Sequence, residues 1–257
     1  MNLFRILGHK SLEAIRDLGI FCLFLLAVLK TFISKKFPSK LFLEALVNMA
    51  IRSLPLIALT AIFSGAVLAL QSYTGFSRMN AASAIPSIVV ISLTRELGPV
   101  LSGLIFAGRL GASLAAEIGT MRVTDQIDAM EILGVNSKKY LIAPKLMASM
   151  IALPLLVVFA DIIGVFGGYL VATTSLGFTP ALYLQKTIKF LEFRDLFSGL
   201  VKAFFFGTTV VILGCYKGYQ AKRGAAGVGF AATSSVVTSS VMILLMNYLI
   251  TGFMFDK

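Results

Sequence analysis

The chain has 257 residues, a mean hydropathy of +0.91 and 14% charged residues, which exclude a soluble globular protein and indicate a polytopic membrane protein. Its formal net charge is +11, but the basic residues flank apolar runs. Topology and anionic lipid headgroups therefore explain them better than a nucleic-acid partner. Two distant cysteines, Cys22 and Cys215, and the single His9 argue against a disulfide framework and a zinc site. We predict one all-α membrane domain over residues 1–257, with no metal and no cofactor.

The N-terminal region, residues 1–45, is predicted to lie in the membrane interface. Residues 1–17 intersperse apolar side chains with charged ones, a pattern typical of an amphipathic helix at headgroup level. Residues 18–34 are apolar but short, and Lys30 interrupts them. No A-x-A-like cleavage site follows, which argues against a signal peptide. Two alternatives stay open for this segment: a membrane-embedded interfacial helix, which we favour, and a sixth span.

Five apolar segments are long enough to cross a bilayer, whose hydrocarbon core takes ~20 helical residues. They predict a polytopic helical bundle over residues 46–254, with small residues at spacings that allow close helix packing. The predicted spans are residues 46–70, 85–107, 140–172, 196–216 and 230–253. The candidate packing glycines are Gly108, Gly111, Gly164 and Gly168.

A polar segment, residues 116–135, lies between the second and third spans. It cannot sit in lipid, because each charge at the bilayer centre costs ~2.5–3.5 kcal/mol. Inside it we predict a short helix over residues 125–133, with Thr124 as its N-cap and Gly134 just past its end. At ~1.5 Å per residue this helix is roughly 14 Å long, too short for a span. The segment is therefore accessible to something soluble.

The predicted short helix has two faces. Ile127 and Met130 form an apolar face, and acidic residues three apart form a second one. An amphipathic rod of this kind fits a groove on a partner, although a solvated loop helix without a partner fits the pattern equally well. The residues predicted to couple the chain to a partner are Glu117, Met121, Asp125, Gln126, Asp128, Ala129, Met130 and Glu131.

Basic residues are distributed unevenly between the two ends of the predicted bundle. The end with the N-terminal region, the polar segment and the loop between spans four and five has 15 Lys and Arg residues, and the opposite end has five. The positive-inside rule therefore places the N-terminus and the polar segment in the cytoplasm and the C-terminus outside. A sixth span at residues 18–34 would move the N-terminus outside and leave the polar segment inside.

Charged residues inside the predicted spans are further candidates for function, since such residues usually face the bundle interior or a wet cavity. Arg95, Glu96 and Asp161 fit a polar patch on the path of a charged headgroup, and they fit buried ion pairs that only hold helices together. Arg52 and Lys202 lie near span ends, where snorkelling to the interface is the simpler interpretation. Glu96 is predicted to face the bundle interior, because it cannot share one helix face with Arg95.

The sequence contains no catalytic motif and no phosphate-binding loop. It lacks G-x-S-x-G, H-E-x-x-H and G-x-x-x-x-G-K-[ST], so we expect a chain that is not an enzyme and does not hydrolyse ATP itself. An intramembrane lipid-modifying enzyme built on Glu96, Asp161 and His9 is a weak alternative.

Residues 94–135, TRELGPVLSGLIFAGRLGASLAAEIGTMRVTDQIDAMEILGV, closely resemble the MlaE family, also called YrbE or Mce-associated permeases. Four segments that recur together in that family are present: R-E-x-G-P from Arg95, G-R-x-G-A from Gly108, A-E-x-G-x-M from Ala116 and Q-x-x-A from Gln126. The similarity extends to the C-terminus and covers most of the chain.

The resemblance implies a homodimeric permease of an ABC transporter that moves phospholipid or a related lipid between membranes. It implies a bacterial inner-membrane location, five spans, N-terminal interfacial helices and a cytoplasmic coupling helix between spans two and three. The implied partners are an ABC ATPase subunit and a periplasmic lipid-binding protein with an MCE domain. A structural or assembly subunit without a transport path of its own is the main alternative.

Overall fold

The computed structural model describes residues 3–32, 39–79 and 81–255. Within these ranges the long elements are helices and no strand occurs, which confirms the predicted all-α class. Two five-residue π-helical turns, Leu93–Leu97 and Ala107–Gly111, join α3 to α4 and α4 to α5. The helices are α1 Leu3–Phe32, α2 Ser39–Phe76, α3 Ile85–Ser92, α4 Gly98–Phe106, α5 Ala112–Val123, α6 Gln126–Ile132, α7 Ser137–Leu141, α8 Ala143–Thr174, α9 Pro180–Phe190, α10 Phe193–Tyr219 and α11 Ala225–Phe255.

Five helical segments of the described chain are long and apolar enough to cross a membrane, which confirms the predicted polytopic bundle. Each segment extends beyond its predicted bounds. Apolar composition marks only the part that fits the ~30 Å hydrocarbon core, whereas the helical hydrogen bonding continues into polar sequence. The segments are Ser39–Phe76, Ala82–Val123, Ser137–Thr174, Phe193–Tyr219 and Ala225–Phe255.

The end of the bundle that carries α6 and α7 is called the coupling end below. The start of α2 reaches it, since Glu44 and Asn48 share a cavity there with Glu117 and Lys145. The opposite end carries α9, the start of α10 and the last turn of α11, where the Arg194 guanidinium donates to a backbone carbonyl of α11. Consecutive spans therefore alternate in direction between these two ends.

Residues 3–32 of the N-terminal region form one continuous helix, α1, and not the two elements predicted for residues 1–17 and 18–34. Residues 39–45 belong to α2, and residues 1, 2 and 33–38 lie outside the described ranges. This helix packs across the coupling end, where the rings of Phe21 and Phe24 lie 5.0 and 5.4 Å from that of Tyr216. It is not among the five candidate spans of the described chain. Its position favours the interfacial alternative over a sixth span.

Glycines allow the backbones of α2 and α8 to touch, in the most extensive helix contact of the bundle. A Cβ on Gly65 would lie 1.8 Å from the carbonyl oxygen of Gly164, and one on Gly167 would lie 2.2 Å from that of Ile62. A Cβ on Gly168 would approach the Gly65 carbonyl oxygen to 3.2 Å. Gly164 and Gly168 thus contact α2 at Gly65, which no sequence pattern of α2 marks.

The other two candidate packing glycines differ from each other. Gly111 lies at the meeting of three helices, where the Ser235 hydroxyl of α11 donates to its carbonyl at 3.1 Å and Gly214 of α10 approaches the same oxygen. Gly108 is exposed, and a Cβ there would have no atom within 4 Å. Gly108 therefore packs against no other helix within the described chain, and its predicted packing role could only concern another molecule.

Replacing Gly65 by alanine is expected to destabilise the bundle by ~1–3 kcal/mol, because the new methyl group must push the α8 backbone away. The measurement is the thermal midpoint of the detergent-solubilised protein. Gly75→Ala is the control on the same helix, since a Cβ at Gly75 meets no atom within 4 Å. A gain of ~0.5–1 kcal/mol is expected for this control, as for alanine in an open helical position. Equal midpoints for the two variants would contradict the close approach of α2 and α8.

Candidate functional site

The first π-helical turn contains a carbonyl group that accepts a hydrogen bond from another helix. Pro99 has no N–H, so the Arg95 carbonyl, four residues earlier, loses its usual helical donor. The ammonium group of Lys202 on α10 donates to this carbonyl at 2.7 Å and to Oε1 of Glu96 at 2.8 Å. A side chain from a neighbouring helix thus replaces the hydrogen bond that proline removes.

The Glu96 carboxylate lies between α10 and α11. Besides Lys202, it accepts hydrogen bonds from Asn247 Nδ2 at 2.8 Å and from Thr251 Oγ1 at 3.0 Å. The Lys202 side chain is fully buried, whereas that of Glu96 is 38% exposed. The snorkelling interpretation of Lys202 is therefore wrong: its position along α10 lies near a span end, but its charge is paired across the bundle.

Arg95 points away from Glu96, towards the end of the bundle opposite the coupling end. Its Nε donates to Oδ1 of the fully buried Asp195 at 2.5 Å. The other oxygen of Asp195 accepts from the Glu192 N–H at 3.3 Å, as part of the capping box that begins α10. The Arg95 guanidinium also lies 4.5 Å from the ring centroid of Phe255. The polar cluster, defined as Arg95, Glu96, Asp195, Lys202, Asn247 and Thr251, balances two cations with two anions.

Asp161 does not join the polar cluster. It lies on α8 with 6% of its surface exposed, and its Oδ1 has no hydrogen-bond partner among the described residues. A Cβ on Gly98 would lie 1.9 Å from that oxygen, so this glycine leaves room for the carboxylate. His9 pairs with Glu13 on the exposed surface of α1. In the described chain, the three residues of the enzyme alternative therefore share no hydrogen bond or ion pair.

The N-terminal end of the short helix differs from its prediction. The Thr124 hydroxyl donates to the carbonyl of Thr120, so it serves the last turn of α5 and caps nothing in α6. Asp125 adopts the left-handed conformation with φ of 58°, and α6 begins at Gln126. Both predictions, Thr124 as N-cap and Asp125 as first helical residue, are wrong, because Asp125 interrupts the helical backbone between α5 and α6 with a left-handed conformation.

The C-terminal end of α6 agrees with its prediction. Gly134 has a φ of +74°, and its N–H donates to the Glu131 carbonyl at 3.0 Å. The Val135 N–H donates to the Met130 carbonyl at 2.9 Å. These two bonds form a Schellman motif, which requires a residue such as glycine in the left-handed region.

The apolar face of α6 packs against the chain's own bundle. Ile127 is 1% exposed, and Met130 lies against the core. This apolar face is therefore covered by the chain itself and is not available to a partner. The side chains of Ile132 and Leu133 instead point outward, 87% and 79% exposed. The outer face of α6, defined as Gln126, Ala129, Ile132 and Leu133, is an exposed stripe with the three- and four-residue spacing of one helix side.

Several predicted coupling residues have partners within the chain. Asp128 pairs with Arg122, and Glu131 accepts a hydrogen bond from the Ser137 hydroxyl at 3.0 Å. Glu117 pairs with Lys145 at 2.6 Å. Met121 is half-buried, whereas Asp125, Gln126 and Ala129 are exposed. The exposed surface of the segment is therefore less acidic and more apolar than its sequence indicates.

Removing one charge of the Glu96–Lys202 pair is expected to destabilise the protein more than removing both. In Glu96→Leu the buried Lys202 ammonium keeps only the Arg95 carbonyl as a partner. A broken buried pair costs ~3–5 kcal/mol of stability, and we expect the lower end of this range because the Glu96 side chain is 38% exposed. Lys202→Met added to Glu96→Leu should recover part of this loss. The measurement is the thermal midpoint of the Glu96→Leu variant, the Lys202→Met variant and the double variant. Strictly additive losses would show that the pair contributes nothing.

Comparison with known proteins gives an independent test of the family resemblance. The model of the family described as Permease MlaE matches residues 42–253. A protein of Rickettsia bellii described as a probable ABC transporter permease protein is 51% identical over 255 residues, which cover 99% of this chain and 98% of that protein. A probable ABC transporter permease protein of Synechocystis is 36% identical over 83% of this chain and 81% of its own length.

A protein of Haemophilus influenzae extends the match to a relative with a stated substrate. It is described as the intermembrane phospholipid transport system permease protein MlaE, and it is 33% identical over 260 residues. The match covers 99% of this chain and 98% of that protein, so the aligned residues include all five candidate spans. This chain belongs to the MlaE permease family and is an integral membrane permease of the ABC transporter type.

Proposed function

We propose that this chain is the membrane subunit through which an ABC transporter moves phospholipid between membranes. The observation that carries the proposal is the end-to-end match to the Haemophilus permease, whose description names phospholipid transport. The whole chain would act as one permease domain. ATP hydrolysis would take place in a separate ATPase subunit, and a periplasmic MCE-domain protein would exchange lipid with the permease.

The outer face of α6 is the proposed contact with the ATPase. Large apolar side chains outside the membrane are costly to expose unless a partner covers them. Ile132 and Leu133 are such side chains, and they lie beside an open depression of about 330 Å³ between α1 and the segment that follows α6. Because Ile127 anchors the inner side of α6 in the bundle core, a force on the outer face reaches the membrane helices directly.

The second span connects the coupling end to the polar cluster. α5 follows α4 through a π-helical turn, and the first π-helical turn holds Arg95 and Glu96. Such turns mark places where a helix departs from regular hydrogen bonding, often at functional sites. In the proposed mechanism, movement of α6 alters the packing of this span against α10 and α11. Transport requires that lipid and nucleotide each favour one of the two arrangements.

The least buried helices provide the proposed surfaces for lipid and for a second copy of the chain. In the most apolar 18-residue stretch of each helix, 22% of α11 and 28% of α2 is buried within the chain, compared with 56% of α10. Exposed aliphatic and aromatic side chains follow both helices. We propose a homodimer in the bacterial inner membrane, with the lipid path beside these helices.

A charged residue in the outer face of α6 is expected to release the ATPase. Ile132→Asp should lower the amount of ATPase that co-purifies with the permease by at least about tenfold, because burying an unpaired carboxylate in the contact costs more than 1.4 kcal/mol. The ATPase subunit of the same organism, co-expressed with the permease, is the partner to be measured. Lipid transport in proteoliposomes should fall in parallel.

Ile188→Asp is the matched control, since Ile188 is 73% exposed on α9 at the other end of the bundle. Both variants should keep the wild-type size-exclusion profile, because exposed positions alter stability by less than ~0.5 kcal/mol. Full ATPase retention by Ile132→Asp would refute the docking surface. ATPase binding without any lipid transport in the wild-type complex would favour the structural-subunit alternative.

The coupling end is expected to face the cytoplasm, as the excess of basic residues predicts. The test replaces Cys22 and Cys215 and introduces single cysteines at two exposed positions, Asn136 at the coupling end and Ser175 after α8. A membrane-impermeant maleimide should label the cysteine at position 175 in spheroplasts. It should label the cysteine at position 136 only after lysis. The reverse pattern would invert the proposed orientation.

A further inference from the structure

A groove at the coupling end is lined by two rows of polar side chains. Its cavity has a volume of about 380 Å³ and lies between α2, the second span and the α7–α8 segment. On each wall the polar residues recur every four positions, so that they form a line along one side of the helix. The rows are Glu44, Asn48 and Arg52 on α2, and Arg109, Ser113 and Glu117 on the second span.

The charge of the groove changes along its length. At the outer end Glu117 is neutralised by Lys145 at 2.6 Å. At the inner end lie two arginines, and neither has a carboxylate partner among the described residues. Arg109 donates to the Ser53 hydroxyl at 2.5 Å. Arg52 is exposed and makes no hydrogen bond or ion pair with the residues that the structure describes. The inner end therefore carries two positive charges that no carboxylate of the described residues pairs with, and the acidic residue of the α2 row, Glu44, lies about two helical turns from Arg52.

The inner end of the groove lies where the apolar part of α2 begins. No charged residue occurs between Arg52 and Arg78. At ~1.5 Å per residue the uncharged stretch of residues 53–77 is roughly 37 Å long, enough for the ~30 Å hydrocarbon core. Arg52 therefore marks the boundary between hydrocarbon and headgroups. An arginine at this level is stable when its guanidinium reaches water or a phosphate.

Apolar side chains accompany the polar row of α2. Leu43, Val47 and Ile51 are 58%, 45% and 63% exposed, and each directly precedes a member of the row. Adjacent helical residues point about 100° apart, so an apolar strip runs beside the groove along its full length. The surface thus combines two cations at headgroup level with a neighbouring hydrocarbon-like strip.

We propose that this groove binds the phosphate of an anionic phospholipid, with Arg52 and Arg109 donating charge-assisted hydrogen bonds to its oxygens. The acyl chains lie along the strip of Leu43, Val47 and Ile51. The site is separate from the polar cluster, and its existence does not depend on ATPase coupling or on which lipid is transported. Given the proposed orientation, the bound lipid belongs to the cytoplasmic leaflet.

The test is native mass spectrometry of the delipidated permease in detergent, with phosphatidylglycerol as the probe. The double variant Arg52→Gln/Arg109→Gln should lower phosphatidylglycerol affinity by about tenfold or more, because it removes two charged donors. Arg52→Lys, which keeps the charge at the exposed position, should retain most of the binding. The control variant Lys222→Gln/Arg223→Gln removes two charges at exposed positions outside the groove and should bind as the wild type does.

Two competitors test whether the groove binds the phosphate of a lipid or a free phosphate ion. Diacylglycerol carries the chains without the phosphate, and inorganic phosphate carries the anion without the chains. Neither should displace phosphatidylglycerol at equal concentration if both parts of the surface bind the same molecule. Displacement by inorganic phosphate alone would contradict lipid binding and show that the groove binds a soluble anion. Equal phosphatidylglycerol binding by the groove variant and the control variant would overturn the site, whatever the outcome of the transport measurements.

Discussion

The missing N–H of Pro99 is the constraint on which the arrangement of the polar cluster depends. A membrane interior offers no water to backbone groups, and the Arg95 carbonyl, which has lost its i+4 donor, is stabilised by a donor from another helix. Lys202 supplies it, at 2.7 Å, and its charge then requires an anion within reach. Glu96 meets that requirement and in turn accepts from two residues of α11. One local backbone defect thus connects three spans through a neutral network.

The local features of the fold could be predicted from the sequence, because the physics that produces them is local. Apolar runs located the five spans, and Gly134 located the end of the short helix. The Lys202 partner could not be found this way, since it lies 106 positions from Glu96 along the chain and only the folded bundle brings the two together. The same limit applies to Gly65, whose partner on α8 has no signature in the sequence of α2.

The short helix shows where periodicity misleads. An amphipathic pattern predicts a buried face and an exposed face, but it does not say whether the first is buried by a partner or by the same chain. Here Ile127 is covered by the chain's own core, and the large apolar side chains that stay exposed, Ile132 and Leu133, come at the end of the helix. Thr124 misled for a different reason: its hydroxyl could cap the following helix or bond back to the preceding one, and it does the second.

The backbone contact between α2 and α8 also restricts how the molecule can move. Around Gly65, Gly164 and Gly167 no side chain separates the two backbones, so this part of the contact has no side-chain layer that could slide or repack. A shear between them would separate main-chain atoms without forming new contacts. Relative motion of the membrane helices is therefore expected away from this glycine contact.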